Sequence, residues 1–216
     1  MIPDDWPLAD LLRPVAQSVV EQLDLADRLD RLSLVPDAMT ADDRGWLSLE
    51  RRAEGRHRLT LWFHSDQVRQ DRPGHGAARP LSLDWTLAPT PREEEPLAAA
   101  DFSLPNTQRF LFQQLLLVKD ILDERLHPDA IPPSLVEAFQ EAWLVTVDGR
   151  LQREGLPHLS AGERRMRFIH LFSPAGVLTP NHWTIFNKLW EGAVAEEEAV
   201  LAKVRLLPPL NRRRRF

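Results

Sequence analysis

The sequence predicts an α+β fold: an N-terminal helical segment, a small antiparallel sheet of about three strands, and a helical second half. Three observations carry this. Residues 46–52, 58–64 and 81–87 alternate apolar and polar side chains, the period of a half-buried strand. From Pro105 onward the apolar residues recur at the spacing of helix faces. Strands followed by a run of helices is the element order of a sheet with helices against one face.

The elements follow in order. Leu8, Leu11, Leu12, Val15, Val19, Leu23, Leu25 and Leu29 fall near helical spacing over residues 6–32, with Pro14 expected to break the segment in two. Asp24, Asp27, Asp30, Arg28 and Arg31 form its charged face, and 35–43 is a polar linker containing Pro36. Residues 46–52 and 58–64 are strands joined by a hairpin turn at Ala53-Glu54-Gly55-Arg56. Residues 65–80, rich in Gly, Arg and Asp, form a long exposed loop before the third strand, where Leu81, Leu83, Trp85 and Leu87 alternate with Ser82, Asp84 and Thr86. Pro89 to Pro96, with Glu93, Glu94 and Glu95, is a second exposed connection.

Ser103, Pro105 and Asn106 open the first helix of the second half, and His127-Pro128 ends it. Pro132, Pro133 and Ser134 open the next, with Leu135, Phe139, Ala142 and Trp143 on one face, and Asp148-Gly149-Arg150 interrupts or closes it. Ser160 and Glu163 form a capping box ahead of Met166, Ile169 and Phe172, and Ser173-Pro174 stops that helix. Thr179-Pro180 begins the last helix, carrying Trp183, Phe186, Leu189 and Trp190, and the run Glu196 to Glu198 continues helically toward Leu207. The expected organisation is one domain over 1–216: helical segment 1–40, sheet 45–90, helical region 105–207 and basic tail 208–216.

Composition bounds the function. The chain has 216 residues, 43% hydrophobic and 27% charged, which is ordinary for a globular protein. No apolar run approaches the roughly 20 residues of a membrane span, and the acidic start Met-Ile-Pro-Asp-Asp-Trp lacks a signal-peptide layout. Without cysteine there is neither disulfide nor thiolate metal site. The expected compartment is the cytoplasm. A net charge of −5 argues against broad nucleic-acid binding; the exception is the tail, where Arg212, Arg213, Arg214 and Arg215 are either a solvated end or a contact for an anionic partner. The nine glycines are scattered, with no phosphate-cradling loop and no Gly-x-Ser-x-Gly elbow, so no cofactor is expected. No pair of the seven histidines has ligand spacing, and no metal site is expected from them. Trp183, Phe186 and Trp190, at helical spacing, read first as core and second as a patch facing a partner.

The chemistry-bearing feature is the glutamine pair inside the apolar stretch Phe110 to Leu122. A metallopeptidase helix places two histidines four residues apart on one face, with a glutamate after the first to activate water. Here Gln113, Gln114 and Leu117 fill those slots. Neutral glutamine is a poor zinc ligand and no general base. The next helix carries Glu137 and Glu141, followed by Asp148 and Arg150, candidates for a groove or ligand contact. Residues 105–155, with the strands before them, resemble the zincin-like metallopeptidases of the gluzincin type with the catalytic motif degraded. That resemblance implies a zincin-like scaffold without the metal ligands. The plain alternative is a buried amide pair that hydrogen-bonds to the sheet or to a neighbouring helix.

The functional expectation is a non-catalytic zincin-like module that binds another protein. The alternatives are a hydrolase using Glu137, Glu141, Asp148 and a histidine, and an anionic-partner binder acting through the arginine tail.

Overall fold

Leu12, Ala16 and Val19 are buried along one face of α1 (Ala9–Gln22). Helix α1 runs unbroken through Pro14, contrary to the expected break. Pro14 lies in an exposed position of the second turn, where the one amide it lacks is a small loss beside the burial of residues on both sides of it. The computed structural model describes residues 6, 8–36, 46–52, 55–70, 98–172 and 180–207. Contacts divide the chain into two compact units, one up to Phe110 and one from Leu111 onward.

In the first unit the helical reading of 6–32 is corrected. Asp24 takes a left-handed φ of 54°, which ends the helix. Leu25 and Leu29, four apart, belong to an isolated turn in which Leu29 N–H donates to the Leu25 carbonyl at 3.0 Å. Leu29–Pro36 is strand β1. Val35 and Pro36 therefore close a strand rather than open a linker; Pro36 is tolerated because β1 is an edge. Strands β2 (Trp46–Arg51) and β3 (His57–Phe63) make the expected antiparallel hairpin, with Gly55 at φ +75° in the turn. The order is β1-β3-β2, and β1 runs parallel to β3, so the sheet is mixed rather than wholly antiparallel. Ladder bonds from β3 decide this, and a helical apolar spacing over 23–29 carries no information about them.

The register puts Leu34 beside Leu61 and Leu32 beside Leu59 on one face. Leu34, Leu59, Leu61 and Phe63 are buried and, with the α1 residues, form the apolar interior of this unit. Trp6 meets Phe63 edge-on at 5.5 Å, and Phe63 meets Phe110 at 6.0 Å. The expected loop is structured at its start: Ser65–Gln67 is a short 3-10 turn, Val68 is fully buried, and Arg69 bridges Phe102. The rest of that loop, the strand expected over Leu81 to Leu87, and the Pro89 to Pro96 connection lie outside the described residues.

Helix α2 (Leu104–Leu122) begins in the first unit and ends in the second. Ser103 caps it as expected, its Oγ accepting from Asn106 N–H at 3.3 Å. It ends at Leu122, before His127-Pro128, where Glu124 takes φ 57° and the amides of Arg125 and Leu126 close on the Asp120 carbonyl. In the second unit, α3 (Val136–Arg153) is the central helix, in contact with α4 (Ala161–Phe172), α5 (Pro180–Trp190) and α6 (Glu197–Val204). Every α3 residue from Glu141 to Gly149 is buried. The Ser160–Glu163 capping box of α4 is present, with Ser160 N–H to Glu163 Oε2 at 3.0 Å and Glu163 N–H to Ser160 Oγ at 3.2 Å. Helices α5 and α6 are separate, divided by Gly192 at φ +80°, where one continuous helix was expected. Among the described residues no helix is long and apolar enough to cross a membrane.

Asp148-Gly149-Arg150 neither interrupts nor closes α3; it lies inside the helix. Gly149 is there for contact, not for a turn. A Cβ at this position would overlap the backbone carbonyl of Trp190, whose carbon stands 2.9 Å away. That carbonyl also accepts from Arg153 Nη1 at 2.6 Å, and Trp190 Nε1 donates to Gln152 Oε1 at 2.7 Å. Gly149→Ala is therefore expected to destabilise the second unit by about 1–3 kcal/mol, the usual range for overpacking, read as a lower urea midpoint; an unchanged midpoint would show that α5 can move away freely.

Candidate functional site

Gln113, Leu117 and Asp120 recur at i, i+4 and i+7 on α2, so one buried stripe of the helix carries an amide and a carboxylate. Helix α3 answers with Asp148 at Gln113 and with Trp143 and Arg150 at Asp120. Glu141 and Asp148, seven residues apart, share one side of α3, and Trp143 and Arg150 share another. All these residues belong to the second unit.

Asp148 is fully buried and has four hydrogen bonds. Gln113 Nε2 donates to Oδ1 and Oδ2 at 3.1 and 3.0 Å. Leu159 N–H donates to Oδ1 at 3.2 Å, and Arg164 Nε donates to Oδ2 at 2.6 Å. The carboxylate can only accept, which fixes the Gln113 amide with its NH₂ toward α3. Arg164, 2% exposed, also lies 3.9 Å from Glu141, an ion pair beyond hydrogen-bond range. Its Nη2 has no hydrogen-bond partner among the described residues. A second cluster sits further along: Asp120 accepts from Trp143 Nε1 at 2.9 Å and from both terminal nitrogens of Arg150, the first at 2.7 Å. The fork of Arg150 grips this carboxylate bidentately.

The sequence-derived candidates separate accordingly. Gln113 and Gln114 are both buried, and Gln113 finds its partner on a neighbouring helix. Leu117 is buried. Asp148 and Arg150, expected as contacts of a groove or ligand, point into different clusters: Asp148 to Arg164 and Arg150 to Asp120. Glu141 is buried and Glu137 exposed, so the carboxylates of α3 do not share one environment. Arg212, Arg213, Arg214 and Arg215 lie outside the described residues. Trp183 is 37% exposed while Phe186 is buried, so the aromatic stripe of α5 divides between surface and core.

The zinc slots do not fit a metal. Gln113 presents amide hydrogens to Asp148, and Leu117 offers no donor atom. Among the described residues no group of three or more histidine or acidic side chains is placed to hold a metal ion. Four of the histidines have other engagements: His64 Nδ1 accepts from Asp66 N–H, His127 meets Glu197, His158 lies 2.7 Å from the Leu156 carbonyl, and buried His182 lies 2.7 Å from that of Phe172.

Arg164, Asp120 and Trp143 were missed as members of a polar site, although helical phase held a signal. Arg164 is four residues before Phe168 and eight before Phe172, on the buried stripe of α4. Asp120 is three after Leu117 on the stripe of α2. Which carboxylate each cation meets is not encoded in that phase.

The cluster generates a coupled prediction. Asp148→Asn or Arg164→Met alone leaves a buried charge without its partner and is expected to cost about 3–5 kcal/mol. The double variant should cost clearly less than the sum, because contacting residues are non-additive. Urea unfolding of the four proteins measures this; strict additivity would contradict the ion pair.

No family model, no curated protein and no solved structure matches this chain.

Proposed function

We propose that the chain is a non-catalytic, zincin-like protein that acts by binding another protein. One observation carries this: the amide that stands in the first ligand slot, Gln113, is held by a saturated buried carboxylate. Asp148 accepts two bonds from Gln113, one from the Leu159 amide and one from Arg164, and so has few lone pairs left to coordinate a metal or a substrate. The position of Arg164 supports the same reading. A guanidinium lies between two buried carboxylates, where a catalytic centre would need a metal or a movable proton. Groups fixed this way hold helices together.

A protein that works by binding needs a surface for it, and the second unit has exposed apolar side chains at Val136, Met166, Trp183 and Leu206. Purified protein is expected to carry substoichiometric zinc and to leave casein intact with or without added zinc. Stoichiometric zinc, together with peptide hydrolysis that Glu141→Gln abolishes, would overturn the proposal.

A further inference from the structure

We infer that the face formed by α4 and α5 around Arg165 and Trp183 docks a carboxylate-bearing apolar segment of a protein partner. The inference rests on the reading of this chain as a binding protein and names the surface and the chemistry it takes. It begins with one side chain. The Arg165 guanidinium carbon lies 5.1 Å from the ring centroids of both Trp183 and Phe186. Both separations are within the range of a cation–aromatic contact. Its Nε is buried without a partner, its Nη2 reaches only the neutral Asn187 Oδ1 at 3.4 Å, and it has no carboxylate partner among the described residues. Arginine held on aromatic rings is ready for a planar acceptor, and a carboxylate matches its fork.

The surroundings select the partner. Trp183 remains 37% exposed, and Met166, next to Arg165 in α4, is 68% exposed. Tryptophan and arginine are the residues that most often anchor interfaces, and methionine adapts to varied apolar shapes. Helices α4 and α5 carry one carboxylate, Glu163, which is bonded to Ser160 at the α4 N-terminus. The face around Trp183 is thus partly apolar and carries the positive charge of Arg165. Charge complementarity calls for an acidic segment, and the exposed tryptophan and methionine call for apolar residues beside the acid. A phosphate backbone offers no apolar groups beside its charge to cover Trp183 and Met166, so a protein is the favoured source of the anion.

The test follows the indole N–H signal of Trp183 by NMR in the full-length protein. It is titrated with a twelve-residue peptide of alternating glutamate and leucine, with its lysine–leucine counterpart, and with a twelve-nucleotide oligothymidylate. The glutamate peptide is expected to shift the Trp183 signal. Arg165→Ala should weaken its binding about ten-fold or more, as loss of an interface anchor does. Met166→Glu, an exposed substitution, should weaken it as well without changing the unfolding midpoint, which keeps the test open if Arg165→Ala folds poorly. A glutamate peptide that leaves the Trp183 signal unmoved, binds Met166→Glu undiminished, or is outcompeted by the lysine peptide or the oligothymidylate would overturn the inference. Such a result leaves the non-catalytic reading standing, because that depends on metal content and peptide hydrolysis.

Discussion

The carboxylate of Asp148 is the point on which the second unit depends. It lies at zero exposure inside the central helix α3 and touches three other parts of the chain: α2 through Gln113, the α3–α4 connection through the Leu159 amide, and α4 through Arg164. A charge taken that far from water survives only with strong partners, so each of the three segments is held to a position that satisfies it. The Asp120–Arg150 pair repeats the arrangement further along the same two helices and adds the indole of Trp143. Polar contacts of this kind add little net stability compared with an apolar core. What they supply is register: a helix sliding by one residue would leave a buried carboxylate unpaired.

The same constraint separates two neighbouring arginines. Arg164 and Arg165 are consecutive in α4, and the roughly 100° between adjacent helical positions sends them to different environments. Arg164 enters the interior, where Asp148 and Glu141 neutralise it. Arg165 lies along the aromatic rings of α5, with no carboxylate of the described chain to meet it. Because Asp148 fixes the rotation of α4, it also fixes which face of that helix Arg165 occupies. The inward ion pair and the outward cation–aromatic contact are in this sense one geometric decision.

Close packing allows no slack around that decision. Gly149 lets the backbone of α5 approach α3 so nearly that no side chain fits between them. Arg153 and Gln152 then bond to the backbone and indole of Trp190. The Asp148-Gly149-Arg150 tripeptide, which has the composition of a turn, is thus three distinct contacts of one uninterrupted helix. Glycine reads as a chain break only while the neighbouring helix is unknown.

The sequence by itself determined the α+β class, the β2–β3 hairpin, the Ser103 and Ser160 caps and the burial of the glutamine pair. Each is local: alternation, capping residues and apolar periodicity act within a few positions and need no knowledge of distant partners. Only the tertiary structure decided that residues 29–36 form a parallel strand, since its hydrogen bonds come from β3 and leave no trace in its own periodicity. It also decided that Gln113 meets Asp148, that Asp148 meets Arg164 instead of Arg150, and that Arg150 meets Asp120. Those pairings span 16 to 35 positions of chain. Helical phase indicates which side chains turn inward, but the choice among several inward-facing charges is made by how the helices pack.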